Sequence, residues 1–144
     1  MPPAGPVRSL LGECQCGAVA YEADGRPLAV FVCHCRECRK QSASAFGISV
    51  ILPRAGFRVT RGRPQFWERT TGSGGRLRGA FCPACGSRLW HERDAAPDTV
   101  SLKGGSLAEP IDLTGAIHIW TKRKLPGVAI PDGAVQYPEE PPET

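Results

Sequence analysis

The sequence predicts a mainly β fold of short strands, with at most one or two helical turns. Three observations carry that expectation. Apolar runs of four to seven residues alternate with turn residues along the whole chain. Sustained helical periodicity is missing, and β-branched and aromatic residues concentrate in the runs. The 17 glycines and 14 prolines are dispersed between those runs, where strand-joining turns need them.

In chain order, Ala18–Tyr21 is the first strand candidate, and Leu28–Val32 is the second. Phe46–Leu52 is rich in β-branched residues and stops at Pro53, which has no amide hydrogen to donate to a ladder. Phe57–Thr60 and Gln65–Thr70 alternate apolar and polar residues, as half-buried strands do. Leu77–Phe81 leads into Cys82, and Arg88–Glu92 leads away from Cys85. Thr99–Leu102 and Ala116–Trp120 complete the set. Asp24-Gly25, Arg61–Pro64, Gly72–Gly75, Gly104-Gly105 and Pro131–Gly133 are the turn signals between them. The one helical turn expected is Cys35–Ser42.

At 144 residues the chain reads as one domain, with no internal repeat and no dividing linker. Residues 1–11 are expected to be a flexible arm, 12–137 the folded domain, and 138–144 a solvated, acidic, Pro-rich tail. The formal net charge of +4 counts each Cys as neutral. Ionised thiols would lower it, so charge alone does not imply a nucleic-acid partner. No segment approaches the roughly 20 apolar residues of a membrane helix. The first residues also lack the apolar stretch of a signal peptide.

Seven cysteines stand in three tight groups: Cys14 and Cys16; Cys33, Cys35 and Cys38; Cys82 and Cys85. An odd number leaves a thiol over from any full disulfide framework. Cysteines one or two residues apart rarely bridge each other, but they converge well on one metal ion. Free thiols of this density suit a reducing compartment, so a cytoplasmic location is expected. Four thiolates close a tetrahedral zinc site, and three leave a position open for chemistry. In extended chain, residues i and i+2 share a side, so Cys14 and Cys16 can face one ion. Cys82-x-x-Cys85 is a turn followed by Gly86, whose lack of a side chain lets the backbone bend round the sulfurs. Together these four can make a closed site. Cys33 and Cys35 likewise share a side, and one helical turn brings Cys38 alongside. This four-plus-three partition predicts two zinc ions, one structural and one open. The rival partition joins Cys35 and Cys38 to Cys82 and Cys85 in a zinc ribbon, leaving Cys14, Cys16 and Cys33 without a compact arrangement. His34 is an alternative fourth ligand to the middle group. His91 and His118 each sit in a strand beside or near a tryptophan, a setting that suits packed or pocket-lining histidines as well as ligands.

Arg36, Arg39 and Lys40 adjoin the middle cluster. Three thiolates on a divalent ion leave a net negative site, and nearby cations would offset it and could hold substrate carboxylates. Lys122, Arg123 and Lys124 form a second basic run, read as a solvated one.

The segments Gly12–Glu22, Cys33–Ser42, Phe81–Leu89, Gly105–Leu107 and His118–Trp120 together resemble a known family. They look like the glutathione-dependent formaldehyde-activating enzyme and centromere protein V family, which has the Mss4-like β fold. The resemblance covers about Gly12 to Tyr137. It implies a structural zinc on Cys14, Cys16, Cys82 and Cys85, and a zinc described as catalytic on Cys33, Cys35 and Cys38. It also implies a small thiol such as glutathione, with formaldehyde or a related aldehyde, as substrates. The chain departs from the family's usual pattern at Leu107–Pro110 and at Pro126-Gly127, neither of which touches a cysteine.

The expected function is a zinc-dependent carbon–sulfur lyase that forms or cleaves a hemithioacetal. A thiol or formaldehyde carrier, or a non-catalytic zinc module that binds a protein or nucleic acid, is the alternative. A sulfoxide reductase of this fold would need a nucleophilic Cys beyond the metal ligands, and none of the seven is spare.

Overall fold

A computed structural model describes residues 9–142. It has ten strands in two sheets. In chain order they are β1 (Leu10–Glu13), β2 (Ala20–Ala23), β3 (Ala29–Cys33), β4 (Gly47–Pro53), β5 (Phe57–Arg61), β6 (Gln65–Thr70), β7 (Arg76–Phe81), β8 (Arg88–Arg93), β9 (Thr99–Lys103) and β10 (Ile117–Ile119). The α-helix α1 (Arg36–Ser42) follows β3, where the helical turn was expected. The seven-stranded sheet runs β10-β3-β4-β9-β8-β7-β6, and the three-stranded sheet runs β1-β2-β5. Every pairing is antiparallel except β10 with β3. The mainly β expectation holds. Among the described residues no helix is long and apolar enough to cross a membrane.

The two sheets enclose one core. Val19, Tyr21 and Ala23 come from the small-sheet side; Val50, Leu52, Leu89, Trp90, Val100 and Leu102 come from the large sheet. Alternation explains which side chains enter: β4 buries Val50 and Leu52 while Ile51 between them stays half-exposed. Tyr21, Phe57 and Trp90 form an aromatic knot between the sheets. Phe57 and Trp90 meet edge-on at 4.7 Å, and Tyr21 meets Trp90 at 5.8 Å. The Tyr21 hydroxyl lies 2.6 Å from Ser106 Oγ, which satisfies a polar tip in an apolar setting.

Strand β1 was absent from the sequence expectations. Leu10–Glu13 is four residues with a central glycine, a weak strand signal by itself. Its support is non-local. Gly12 pairs with Tyr21, whose ring lies so close that a Cβ at Gly12 would meet it at 2.1 Å. Gly12 also bridges Leu107, and the Ala108 amide donates to the Leu11 carbonyl at 2.8 Å. Leu10 and Leu11, placed in the N-terminal arm on composition, thus belong to a sheet; residues 1–8 of that arm lie outside the described residues.

The C-terminal segment runs alongside β10. The His118 backbone amide donates to the Val135 carbonyl and the His118 carbonyl accepts from the Tyr137 amide, both at 2.9 Å. Residues 138–140, assigned to the tail, are exposed but hydrogen-bonded: Trp120 Nε1 donates to Glu140 at 2.7 Å and Lys122 pairs with Glu139 at 2.6 Å. Residues 143 and 144 of that tail lie outside the described residues.

Candidate metal centres

The β1–β2 connection carries Cys14 and Cys16, and the β7–β8 connection carries Cys82 and Cys85. One hairpin belongs to the small sheet and the other to the large sheet. Their four sulfurs lie within 4.8 Å of one another. Cys16 Sγ is 3.7 Å from both Cys14 Sγ and Cys82 Sγ. A tetrahedron with zinc–sulfur bonds of about 2.3 Å has edges of about 3.8 Å. The donor set therefore has the size that zinc requires.

The local backbone explains why these turns suit the task. Gly17 and Gly86, each just after a cysteine pair, have φ of +78° and +80°. L-residues rarely adopt that conformation, and glycine does so freely. It turns amides toward sulfur: Val19 N–H donates to Cys14 Sγ at 3.2 Å. Ser87 joins the two turns, accepting from the Gln15 amide at 2.9 Å and lying 3.2 Å from Cys85 Sγ. Cys14 and Cys82 are buried, so a metal held here is part of the core.

The second cluster is local. Cys33 ends β3, Cys35 caps the N-terminus of α1, and Cys38 lies in its first turns. The Cys38 amide donates to Cys35 Sγ at 3.2 Å, a capping bond made by sulfur. The three sulfurs lie within 4.8 Å of one another, and no fourth His, Cys, Asp or Glu joins them among the described residues. The thiols cannot all ionise unaided. Hydrogen bonds from Cys33 and Cys38 pull Cys35 down to about 2. The hydrogen bonds to Cys35 and Cys38, with burial, drive Cys33 upward. A divalent cation resolves that conflict by favouring all three thiolates. The four-plus-three grouping is thus the one the structure brings together, and the ribbon partition is not.

His34 points away from the cluster. Its ring stacks on His118 at 5.3 Å, with Nε2 and Nδ1 3.0 Å apart, and both rings are buried. Burial lowers the pKa of each. His91 is on the sheet face of a cleft beside Cys38; burial first, then Lys103 and arginine charges, hold it well below 6.5.

Helix α1 separates two cationic environments. Arg36, Arg39 and Lys40, the cations expected near the site, border an open groove of about 340 Å³ with Ala43 and Ser44. Glu37, Cys38 and Gln41 face the other way, into a cleft of about 20 Å³ against the large sheet. At about 100° per residue, the two sets occupy opposite sides of the helix. The cations that share the cleft with Cys38 are Arg69, Arg88 and Lys103, from β6, β8 and β9. The sequence reading did not single them out. Arg88 carried the clearest signal, three residues after Cys85 and at the end of a metal turn. Lys103 followed in kind, as the charged end of a buried strand.

Lys103 is 8% exposed and donates to Ser49 Oγ at 3.2 Å. Burial, then Arg88, lowers it to about 8, against the opposing pull of the Cys38, Cys33 and Cys35 thiols. The Arg88 guanidinium lies over the Trp67 ring at 5.1 Å.

Comparison with known proteins agrees with this arrangement. The sequence model of the family described as glutathione-dependent formaldehyde-activating enzyme matches residues 9–123. A crystal structure of a Rhodobacter sphaeroides protein superposes with a TM-score of 0.54 at 23% identity, covering 88% of this chain and 97% of that one. That likeness concerns the fold. No curated protein matches the chain. With the family model spanning most of the chain and including all seven cysteines, the chain belongs to the glutathione-dependent formaldehyde-activating enzyme family.

Proposed function

We propose that the protein is a zinc-dependent carbon–sulfur lyase that makes or breaks the hemithioacetal of a glutathione-type thiol and formaldehyde. The observation that carries this reading is the contrast in donor number: four sulfurs close one site, and three leave the other incomplete beside a cationic cleft. In the forward direction the substrate sulfur bonds to the aldehyde carbon, the carbonyl π bond breaks, and the thiol proton ends on oxygen. Cys33, Cys35 and Cys38 would hold the zinc, and zinc supplies the stabilisation of thiolate over thiol that this addition needs. The chain's own contribution is position and charge. The Cys35 cap holds the sulfurs against the start of α1. Lys103 and Arg88 act electrostatically on the Cys38 sulfur and offset its negative charge. Arg36, Arg39 and Lys40, on the outer side of the helix, give the approach a positive field that draws in an anionic thiol.

The sulfur-only donor set favours one other reading. Three thiolates leave a bound cation electron-rich and a weak polariser of a carbonyl, which suits a carrier of the thiol or its formaldehyde adduct. Exchange NMR of glutathione with formaldehyde separates the two. The lyase accelerates hemithioacetal exchange, and Cys35→Ser returns the rate to that of free solution. Binding of glutathione by the wild-type protein with an unchanged exchange rate would replace the lyase by the carrier. Failure to bind any thiol would remove both.

A further inference from the structure

Three cations around the small cleft have no carboxylate partner, and the cysteine sulfurs are the nearest groups that can carry negative charge. Among the described residues, every ion pair is made by Arg54, Arg58, Arg61, Arg76 or Lys122; Arg69, Arg88 and Lys103 make none. The Nε atoms of Arg69 and Arg88 are shielded from solvent and lack any hydrogen-bond partner. Arg39 Nε shares that state, but Arg39 lines the outer groove and not this cleft. Buried donors without acceptors cost about 1–3 kcal/mol each, more when charged. Natural proteins retain such a group where a ligand or ordered water completes it. The cleft's single carboxylate, Glu37, is exposed and pairs with no cation.

Size limits what the cleft can hold. A site needs roughly 10–15 Å³ of such space for one water. At about 20 Å³ the cleft takes one small polar group and excludes a tripeptide. Trp67 and Leu77 wall it on the sheet side, and Cys38 stands at its helix side. Planar guanidinium groups match a carboxylate in two-point contact, which a lone ammonium does not.

We infer that this cleft is an anion subsite in which Arg69, Arg88 and Lys103 bind a carboxylate of the substrate thiol, next to the Cys38 sulfur. The inference rests on the reading of Cys33, Cys35 and Cys38 as a thiol-binding centre. It makes acidic thiols the preferred substrate class and assigns the choice to strands β6, β8 and β9. The basic outer face of α1 speeds the approach of an anion but lies outside the cleft that holds the carboxylate.

Calorimetry on the zinc-loaded protein tests it with three probes: 3-mercaptopropionate, its methyl ester, and the S-methylated acid 3-(methylthio)propionate. Wild-type protein is expected to bind the acid about tenfold or more tighter than the ester, the range of a charge-assisted hydrogen bond. Arg88→Met is expected to weaken the acid alone and abolish that preference. Arg69→Met, on the edge strand, does the same in smaller degree and stands in should the Arg88 variant not fold. Arg78→Met, whose guanidinium stacks on Phe66 away from the cleft, keeps the preference. Equal binding of acid and ester by the wild type would overturn the inference, as would a preference that survives both Met variants in the cleft. The S-methyl acid separates this inference from the thiol chemistry. If it binds as tightly as the thiol acid, and through Arg88, the anion subsite stands and the metal-thiol reading falls. If neither acid binds, the subsite falls.

Discussion

The two cysteine clusters use the same ligand and nearly the same spacing, yet the fold holds them in different ways. The four-sulfur cluster draws from two hairpins 66 residues apart, one in each sheet. Its geometry is closed, and two of its cysteines lie in the core. The three-sulfur cluster is confined to six residues around the start of α1, and it borders a cleft. A ligand set that spans the fold contributes to folding; a local and incomplete set leaves the fold to others and keeps a face for chemistry. The difference lies in sequence separation and donor number, not in the donor itself.

The largest expected effect breaks the first half of that comparison. Metal held by a closed sulfur site is worth about 10–16 kcal/mol in small zinc modules. That equals or exceeds the total stability of a typical domain, about 5–15 kcal/mol. Cys16 is exposed, so Cys16→Ser removes a ligand without disturbing packing. It is expected to leave the chain unfolded or with a collapsed melting transition, read by circular dichroism. The matching change in the other cluster, Cys35→Ser, is expected to abolish thiol binding while the transition moves little. Serine is a good helix N-cap and can replace the sulfur that accepts from Cys38. Cys35→Ala loses that cap as well and should melt lower than Cys35→Ser by an amount equivalent to about 1 kcal/mol. Equal, strong destabilisation by Cys16→Ser and Cys35→Ser would erase the contrast.

Gly12→Ala probes the hairpin that carries the closed site. Its Cβ would overlap the buried Tyr21 ring, and overpacking of this kind costs about 1–3 kcal/mol. Denaturant titration should show that loss while thiol binding by the folded fraction is unchanged. An unaltered midpoint would mean that the hairpin yields more readily than the packing implies.

A smaller effect sharpens the second half. His34 and His118 pack beside the open cluster, and burial lowers both pKa values from 6.5. The folded protein then holds fewer protons than the unfolded chain just below that value, so stability falls as the pH drops through it. Thermal melts in excess zinc from about pH 7.5 to about pH 5 should show this slope, and His118→Gln should make it shallower. The smallest effect concerns the outer face of α1. Arg36→Ala with Arg39→Ala is expected to slow thiol association and to reduce its salt dependence, by stopped-flow measurement.

The clusters were legible in the sequence because metal-ligand spacing is a local property. Cys14-x-Cys16 and Cys82-x-x-Cys85 are each followed by a glycine at positive φ, of which Gly86 was the one singled out from the sequence. The strand runs and α1 were legible for the same reason. What was not legible depends on partners far along the chain. Leu10–Glu13 becomes a strand because Tyr21 and Leu107 receive Gly12. Phe57–Arg61 lies between two strands of the large sheet in sequence but pairs with β2 of the small one. Arg69, Arg88 and Lys103 come from three strands, and each reads alone as an ordinary polar strand position. Arg36, Arg39 and Lys40 were conspicuous because they are adjacent to cysteines, but a helix turns neighbours to opposite sides.

A closed, structural site and an open one should differ in how the chain depends on them for metal. Zinc content per folded chain, measured in the wild type and in Cys35→Ser, separates the two sites. Two zinc ions are expected in the wild type, one for each cluster, and one in a Cys35→Ser protein that remains folded. A single zinc in the wild type, retained in Cys35→Ser and still single after zinc is added to the wild type, would contradict that difference.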